Sequence, residues 1–403
     1  MLDVQRIRQD FPLLNSGIIY FDNAATSLTP EPVLNKMLEF YHNYRANIER
    51  GVHRLSQKAS EEYEKAHLKI AEFINARSET EIITTKNTTE GINIVANGLN
   101  WKRGQKIVTT LIEHHSNFIV WLRLKQRYGV DLEIVRPNKG GVFDISDFEK
   151  AIDDKTCLVA MTHVSNILGV ITPVREVAQI AHEHGAQMLV DAAQSIPHLK
   201  VDVQKIGCDY LAFSGHKMLG PTGVGILYAR EELHEDIEPT AIGGGTIEDV
   251  GLDYYRLNES PQRFEAGTPP IAEIIGLGKA TDYLREIGMG SIKRHEEELT
   301  KRMYHGLREI PQVEIYGPEN SENSEKRIGI VSFNVQDQNP HNVALALDIS
   351  GNIMVRSGHH CTIPLMKIFL NRPRGSVRAS TYLYNTKEEV DVLVSAVEEI
   401  SKS

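Results

Sequence analysis

Between residues 80 and 230, short runs rich in apolar and β-branched residues alternate with segments of helical periodicity. The runs predicted to be strands are 81–85, 106–112, 131–136, 157–164, 186–191, 209–214 and 223–229. One predicted helix, 173–184, is apolar on one side and is followed by Gly185, as is typical of helix ends. This alternation predicts an α/β fold with a mainly parallel sheet between layers of helices. Ligands of such sheets bind beyond the carboxyl ends of the strands, where we therefore expect the functional residues.

The pattern changes after about residue 290. A charged helix is predicted at 295–310, followed by strands near 326–335, 352–357 and 376–384, which indicates a smaller α+β domain. For a chain of 403 residues, we therefore predict a large domain over 20–285 and a small domain formed by 1–19 and 286–403. Apolar residues at helical spacing also predict helices at 34–41 and 390–397, and the turn-rich stretch 243–270 is predicted to be an ordered loop.

Charge and cysteine content narrow the possible functions. The net charge is 44 − 54 = −10, which argues against a broad cationic surface for nucleic acid or an anionic membrane. Three scattered cysteines are too few for a disulfide framework, which favours a reducing compartment. The N-terminal segment carries charges where a signal peptide needs an apolar stretch, so no export signal is predicted. The charge-free run 156–174 contains polar residues, so it is not predicted to span a membrane. We therefore expect a soluble, cytoplasmic protein with neither a nucleic acid nor a membrane partner.

The stretch 209–228 contains Ser214-Gly-His216-Lys217 at the end of a predicted strand, followed by a glycine-rich turn. A lysine in a cleft loses its proton more easily than one in water, and it then becomes an amine nucleophile. Taken alone, Lys217 is more often a surface lysine beside a turn. The glycines do not fit a dinucleotide-binding fingerprint, because they do not open a helix after the first strand.

Two other strand ends carry polar residues. Asp191 ends an apolar predicted strand and is suited either to hold a protonated pyridine nitrogen or to cap a helix. Asn87 and Glu90 have the spacing of a capping box, and the same helix start, with the Thr89 hydroxyl, also suits a phosphate. His114, after the strand 106–112, is placed either to lie against an aromatic cofactor or to face water. No Cys/His/Asp cluster nearby has metal-ligand spacing, so no metal site is predicted.

The three cysteines differ in their surroundings. Cys157 and Cys208 adjoin predicted strands, which suits buried packing. Cys361 follows Arg356 and two histidines in a polar segment, and such neighbours favour the reactive thiolate. From these residues alone, a structural and a catalytic role for Cys361 are about equally supported.

Together, the motifs resemble those of pyridoxal-phosphate (PLP) enzymes of fold type I in the aminotransferase class V group. Within that group, the chain is similar to the group II (Suf-type) cysteine desulfurases and selenocysteine lyases. The motifs keep the order of that family over nearly the whole chain; they are Thr88-Thr-Glu-Gly-Ile-Asn, Glu113-His-His-Ser-Asn, His163-Val-Ser-Asn166, Asp191-Ala-Ala-Gln194, Ser214-Gly-His-Lys217, Arg263-Phe-Glu-Ala-Gly-Thr268-Pro and Arg356-Ser-Gly-His-His-Cys361.

The resemblance implies a role for each matching residue. Lys217 binds the cofactor covalently and moves protons, and Cys361 and His114 share the catalysis with it. Asp191 pairs with the pyridine nitrogen, Gln194 contacts the ring hydroxyl and His114 stacks on the ring. Thr89, Ser214 and His216 are implied to hold the phosphate, with Thr268 contributed by a neighbouring subunit, and Thr88 is a further cofactor-binding residue. The implied substrate-binding residues are His53, Asn166, Arg356 and Arg378.

The same resemblance implies an activity and its partners. The expected reaction converts L-cysteine to L-alanine and leaves the sulfur as a persulfide on Cys361, for delivery to an acceptor or scaffold protein of iron–sulfur cluster assembly. A homodimer with shared active sites is expected. Other reactions on this scaffold stay open, namely selenocysteine lyase, cysteine sulfinate desulfinase or aminotransferase activity. A fold kept only for partner binding is disfavoured by the presence of Lys217, Asp191 and His114.

Overall fold

The structure is a computed structural model that describes residues 2–319 and 327–402. The N-terminal part contributes one short strand and three helices before the main sheet begins. In chain order they are α1 (Val4–Arg8), β1 (Ile19–Tyr20), α2 (Glu31–Glu39) and α3 (Arg54–Ile74). The predicted helix at 34–41 is thus confirmed as α2, which begins three residues earlier than predicted. Its residues Leu34 and Leu38 are about half exposed, so the apolar pattern here does not mark a core-facing side.

A seven-stranded sheet forms the centre of the molecule, and all seven predicted strands are confirmed. They are β2 (Ile82–Thr85), β3 (Lys106–Thr110), β4 (Asp131–Val135), β5 (Thr156–Thr162), β6 (Gln187–Asp191), β7 (Tyr210–Ser214) and β8 (Gly225–Ala229). Their spatial order is β2-β8-β7-β6-β5-β3-β4, and only β8 runs antiparallel to its neighbours. The prediction of a mainly parallel sheet is therefore correct, and the carboxyl ends of six strands share one edge.

Helices cover both faces of this sheet. Those between its strands are α4 (Thr88–Gly98), α5 (Ile119–Tyr128), α6 (Ile145–Ala151), α7 (Val174–Glu183) and α8 (Val203–Ile206). Alternate strand residues enter different cores: Val159 and Met161 of β5 lie in one buried cluster, and Leu158 and Ala160 lie in the other. Burial on both faces explains why the central strands β5 to β8 are mostly apolar.

The stretch 243–270 is more regular than predicted. It contains a short antiparallel pair, β9 (Ile247–Val250) and β10 (Tyr255–Leu257), so the prediction of a loop is wrong for this part. The two strands are mostly exposed and lack the alternation of a half-buried strand, which explains why the sequence pattern does not identify them.

The C-terminal part forms a four-stranded antiparallel sheet in the order β11-β12-β15-β14, packed against helices. Its elements follow α9 (Ile271–Ile287) and are α10 (Met289–Arg308), β11 (Val313–Tyr316), β12 (Ile330–Val335), α11 (Pro340–Gly351), β13 (Ile353–Met354), β14 (Arg356–Gly358), β15 (Ser376–Ser380) and α12 (Lys387–Ser401). The α+β character is confirmed. The start of the strand predicted at 326 lies outside the described residues, and the strand predicted at 352–357 is split, because β13 pairs with β1 instead of the sheet.

The N-terminal segment packs against the main body of the molecule through Ile7, Phe11 and Leu14, which join the larger buried cluster. The division of the chain into 20–285 and 1–19 with 286–403 stays a prediction. Within the described ranges, no helix combines the length and the apolar composition needed to cross a bilayer.

Candidate active site

A cavity of about 310 Å³ opens at the carboxyl ends of the central strands. Twelve of the fourteen predicted site residues line it, although they come from segments up to 290 residues apart in the chain. They are Thr88, Thr89, His114, Asn166, Asp191, Gln194, Ser214, His216, Lys217, Arg356, Cys361 and Arg378. The cavity lies where ligands of parallel sheets bind, as the strand pattern predicts.

Lys217 and Asp191 meet in this cavity because β6 and β7 are adjacent parallel strands. Asp191 ends β6, and Lys217 ends the short 3-10 turn Gly215–Lys217 that follows β7. Burial lowers the pKa of Lys217 to about 8, although the charge of Asp191 opposes the shift. Burial also raises the pKa of Asp191, whose carboxylate accepts a hydrogen bond from the amide of Ala193 at 3.0 Å. The pair therefore provides an amine with an accessible neutral form next to a buried carboxyl group.

The side-chain amide of Gln194 uses its donor but not its acceptor in the described part of the chain. Its Nε2 donates to the carbonyl of Ala24 at 2.7 Å, whereas its Oε1 is buried without a hydrogen-bond partner in the described part of the chain. A buried acceptor without a donor is costly, so this oxygen marks a place where a ligand can donate a hydrogen bond.

The start of α4 forms the polar end of the cavity. The amide of Thr88 donates to Ser214 Oγ at 2.9 Å, and the hydroxyls of these residues are 2.7 Å apart. Asn87 caps the helix by accepting from the amide of Glu90 at 3.0 Å, but Glu90 bonds the amide of Lys86, so the predicted capping box is only half formed. Helix N-termini lined by hydroxyl groups are suited to bind anions.

This close approach of α4 to the sheet requires a glycine in β8. A Cβ atom at Gly225 would lie 2.6 Å from Asn87 Cα and 2.7 Å from the carbonyl oxygen of Phe213. Both contacts are shorter than van der Waals distance, so any side chain at position 225 displaces the start of α4. The glycine-rich segment after Lys217 thus helps to shape the polar end of the cavity.

His114 begins a tight turn after β3. Burial lowers the pKa of its ring to about 3, so the ring is neutral at physiological pH. The preceding residue, Glu113, anchors the turn: its carboxylate accepts from Thr110 Oγ1 at 2.5 Å, Asn117 Nδ2 at 2.6 Å and the amide of Thr162 at 3.0 Å. The pKa of Glu113 is raised to about 8 by burial. These bonds fix both ends of the turn that carries His114.

Cys361 lies on an exposed loop whose backbone reaches over the cavity. His360 and Cys361 both have left-handed backbone conformations, with φ of 50° and 58°. Asn166 holds this loop from one side, donating to the carbonyl of His360 at 2.8 Å and accepting from Thr362 Oγ1 at 3.3 Å. The loop therefore places a thiol and the residues of the sheet edge in one cavity.

Two arginines add positive charge beside the loop. Arg378 is buried; its guanidinium donates to the carbonyl of Asn166 at 3.0 Å and to Asp22 at 3.3 Å. Burial lowers the pKa of Arg378 to about 10, and Asp22 opposes the shift. Arg356 is more exposed and lies 3.5 Å from the same carboxylate. One carboxylate shared by two guanidinium groups leaves positive charge available for an anionic ligand.

Comparison with known protein families identifies the family to which the chain belongs. The model of the family described as "Aminotransferase class-V" matches residues 19–393, more than nine-tenths of the chain. The chain belongs to the aminotransferase class-V family. Among curated members, it is 50% identical over 400 residues to a probable cysteine desulfurase of Pyrococcus abyssi, with 98% of this chain and 97% of the relative covered. It is 46% identical to a probable cysteine desulfurase of Synechocystis, with 97% and 94% covered.

Solved structures of the same family share the fold. The apo structure of a cysteine desulfurase from Thermococcus onnurineus matches with a TM-score of 0.95 at 51% identity, covering 100% of this chain and 98% of that one. The cysteine desulfurase CsdA of Escherichia coli, in an S-sulfonic acid form, matches with a TM-score of 0.91 at 31% identity, covering 99% and 98%. The fold predicted from the motifs, that of fold type I PLP enzymes, is therefore confirmed.

Two predicted residues of this class-V chain lie outside its own cavity. His53 does not line the cavity, because its exposed ring caps α3 by accepting from the amide of Ser56 at 3.3 Å. Thr268, expected to act from a neighbouring subunit, is exposed here and follows Gly267, whose φ is 82°. The assigned roles of both residues stay predictions.

Sequence reasoning also missed residues that organise the class-V site. Glu113 and His115 flank His114, and Asp22 bridges the two arginines. The motif Glu113-His-His-Ser-Asn contains the first two, but nothing in its spacing distinguishes their contacts. In the described ranges, 2–319 and 327–402, no group of three or more His, Cys, Asp or Glu side chains is arranged to hold a metal ion.

Proposed function

We propose that this class-V protein is a PLP-dependent cysteine desulfurase, which converts L-cysteine to L-alanine and transfers the sulfur to Cys361. The observation that carries the proposal is that one cavity contains Lys217, Asp191 and the exposed thiol of Cys361. An amine with a lowered pKa suits a carbonyl cofactor, and a thiol on the same cavity suits attack on a substrate sulfur. The names of the relatives at 46–50% identity support the same activity.

The residues of the cavity fit PLP. The unpartnered Oε1 of Gln194 is an acceptor for the ring hydroxyl, and the start of α4 with Thr88, Thr89 and Ser214 is an anion site for the phosphate. His216 lies at the same end, with its Nδ1 at 3.1 Å from Thr26 Oγ1. Asp191 is the partner of the pyridine nitrogen, and His114 is the residue that stacks on the ring. When bound, PLP supplies an electron sink that stabilises negative charge at the Cα of an amino acid.

Lys217 holds the cofactor and moves protons. Its pKa of about 8 leaves about a tenth of the amine neutral at pH 7, so its Nζ would serve as the nucleophile toward the carbonyl of the cofactor and as a base at the substrate Cα. The neutral His114 ring, with its pKa near 3, cannot supply a proton from a charged form at physiological pH. We therefore assign the proton transfers to Lys217 and the orientation of the reacting groups to His114.

The substrate carboxylate binds between the arginines and Asn166. Arg378 is a buried guanidinium whose position is fixed by Asp22 and by the carbonyl of Asn166. A planar guanidinium binds a carboxylate through two parallel hydrogen bonds, which fixes orientation as well as charge. Arg356 adds a second positive charge at the cavity wall. Cys361 lines the same cavity as both arginines.

The sulfur step uses the Cys361 thiolate. Its Sγ attacks the sulfur of the substrate, so an S–S bond forms while the Cβ–S bond of the substrate breaks. The electron pair of the broken bond stays with the carbon skeleton, which takes up a proton and leaves as alanine. A thiolate of the acceptor then attacks the outer sulfur of the Cys361 persulfide and restores the free thiolate.

The working form is a homodimer, in which Thr268 and His53 serve the site of the partner subunit or complete the shared entrance. The apolar residues Leu34, Leu38 and Tyr41 on α2 and the following turn are each about half exposed in the single chain, which supports a subunit interface at this surface. The physiological acceptor is a thiol protein of iron–sulfur cluster assembly in the cytoplasm. In the same proposal, 286–403 and 1–19 form the small domain that carries Cys361.

The test is a paired product measurement on the holoenzyme. The protein is incubated with L-cysteine and dithiothreitol, and alanine and sulfide are measured for wild type, Cys361→Ala and the matched control Cys157→Ala. We expect equal amounts of alanine and sulfide from wild type and from Cys157→Ala, and a rate reduced roughly 100-fold or more in Cys361→Ala. If Cys361→Ala released sulfide at the wild-type rate, the result would instead favour direct elimination, as in a selenocysteine lyase or a sulfinate desulfinase. Protein that never acquires the yellow colour of bound PLP would indicate a non-catalytic scaffold.

A further inference from the structure

The proposed reaction depends on where the Cys361 loop is held, and one residue of the loop's surroundings has no role in the mechanism described above. His115 follows His114 in the turn after β3, yet it contacts the loop instead of the cavity. Its backbone amide donates to the carbonyl of Cys361 at 2.7 Å. Its ring Nε2 lies 2.9 Å from the amide of Ile363, which donates to it. His115 thus binds the residue that carries the nucleophile and the residue two positions later.

The loop needs such external bonds. His360 and Cys361 have φ values of 50° and 58°, a region that side-chain-bearing residues seldom occupy twice in succession. Backbone of this kind persists only where the surrounding structure holds it in place. Asn166 bonds the carbonyl of His360 from one side, and His115 bonds Cys361 and Ile363 from the other.

We infer that His115 is a positioning residue for the nucleophile, in which the ring nitrogen Nε2 holds the Ile363 amide and so keeps Cys361 over the cavity. This inference rests on the proposed function, because it assigns His115 to the sulfur step of that reaction. The ring must accept a hydrogen bond at Nε2, so it must be neutral with its proton on Nδ1. Burial lowers the pKa of His115, which is consistent with the neutral form.

The position of His115 couples the two halves of the site. Glu113 fixes the turn to the sheet edge by accepting hydrogen bonds from Thr110 of β3 and Thr162 of β5. His114 faces the cavity, and His115 faces the loop. The ring centroids of His114 and His115 are 6.4 Å apart and the rings are inclined at 48°, so the two side chains occupy distinct positions. The distance between the cavity wall and the thiol is therefore set by one short turn.

Three variants separate hydrogen bonding from bulk. His115→Leu removes the acceptor and keeps an apolar side chain of moderate size, whereas His115→Gln keeps an amide oxygen near the position of Nε2. His184→Leu is the matched control, because His184 is a surface histidine that pairs with the exposed Asp154 far along the chain from the loop. All three are made in the full-length holoenzyme, and the backbone bond from the His115 amide remains possible in each.

The first readout is hydrogen–deuterium exchange of the peptide containing Ile363, which does not depend on turnover. We expect exchange of this amide to become about tenfold faster in His115→Leu and to stay close to wild type in His115→Gln and His184→Leu. Exchange in β6 is expected to stay unchanged in all variants, which shows that the fold is intact. Unchanged exchange of the loop in His115→Leu would overturn the inference.

The second readout is the division between kcat and KM for L-cysteine. The inference predicts that His115→Leu lowers kcat for sulfide release roughly tenfold with KM within about twofold, and that His115→Gln restores most of the loss. An equal loss in both variants would overturn the inference, because it would show that ring shape matters and the acceptor does not. If wild type makes no alanine from cysteine, the proposed function fails, whereas the exchange measurement still tests whether His115 holds the loop.

Discussion

The protonation of Lys217 offers a prediction that can be tested on cofactor-free protein. Burial in the cavity lowers its pKa from 10.5 to about 8. At pH 7, about 9% of an amine with pKa 8 is neutral against about 0.03% at pKa 10.5, a gain of roughly 300-fold in the nucleophilic form. We therefore expect the reactivity of Lys217 toward an acylating reagent to rise with pH around a midpoint near 8.

Two neighbours shift this midpoint in opposite directions. The charge of Asp191 raises the pKa of Lys217 and that of Arg378 lowers it, so Asp191→Asn is expected to move the midpoint below 8 and Arg378→Gln to move it above. The assay is acetylation at a series of pH values with mass spectrometry of the Lys217 peptide, using the exposed Lys86 as the reference in the same molecule. A wild-type midpoint near 10.5, or an upward shift in Asp191→Asn, would refute the reasoning.

Three further predictions concern stability and cofactor affinity. Burial raises the pKa of Glu113 from 4.5 to about 8, so the folded state keeps a proton that the unfolded state loses, and this group makes stability fall as the pH rises from about 4.5 to 8; Glu113→Gln is expected to remove this fall from the pH profile of thermal denaturation, and an unchanged profile would contradict this. Ser214→Ala is expected to weaken PLP binding in equilibrium dialysis roughly tenfold to a hundredfold, and unaltered affinity would remove Ser214 from the phosphate site. His198→Leu leaves the buried carboxyl group of Glu296 without its partner, so we expect the free energy of unfolding in urea to fall by about 3–5 kcal/mol. A loss smaller than that caused by removing an exposed ion pair would refute that account.

Much of the site was predictable because its residues follow strands. Asp191 ends a predicted strand, and His114 and Lys217 come two and three residues after one, while parallel strands bring their carboxyl ends to one edge. The segment order alone therefore indicates that these residues meet. The resemblance to class-V enzymes adds the roles, which neither spacing nor composition supplies.

The residues that sequence reasoning missed act through long-range contacts. Asp22 bonds Arg378 across 356 positions, and a carboxylate near the N-terminus has no local signal that it will lie beside β15. His115 is similar, because its bond to Ile363 spans 248 positions. Such contacts depend on how the C-terminal sheet docks on the main sheet, and periodicity within one segment carries no information about docking.

Periodicity also leaves open which surface an apolar stripe covers. The helical pattern at 34–41 correctly predicts α2, but Leu34 and Leu38 are exposed in the single chain. The equivalent pattern in α12 leads to buried Val390, Leu393 and Val397. A buried core and a subunit interface both favour apolar residues at helical spacing, so the pattern alone cannot distinguish a core-facing helix from one at an interface.

The most direct measurement concerns the atom that receives the sulfur. Holoenzyme is mixed with a small excess of L-cysteine without reductant, and the reaction is stopped by alkylation. The masses of the peptides that contain Cys157, Cys208 and Cys361 are then measured by mass spectrometry. The account predicts one additional sulfur atom on the Cys361 peptide alone, in proportion to the alanine formed. Alanine formed with no added sulfur on Cys361, or with the sulfur on either other cysteine, would contradict it.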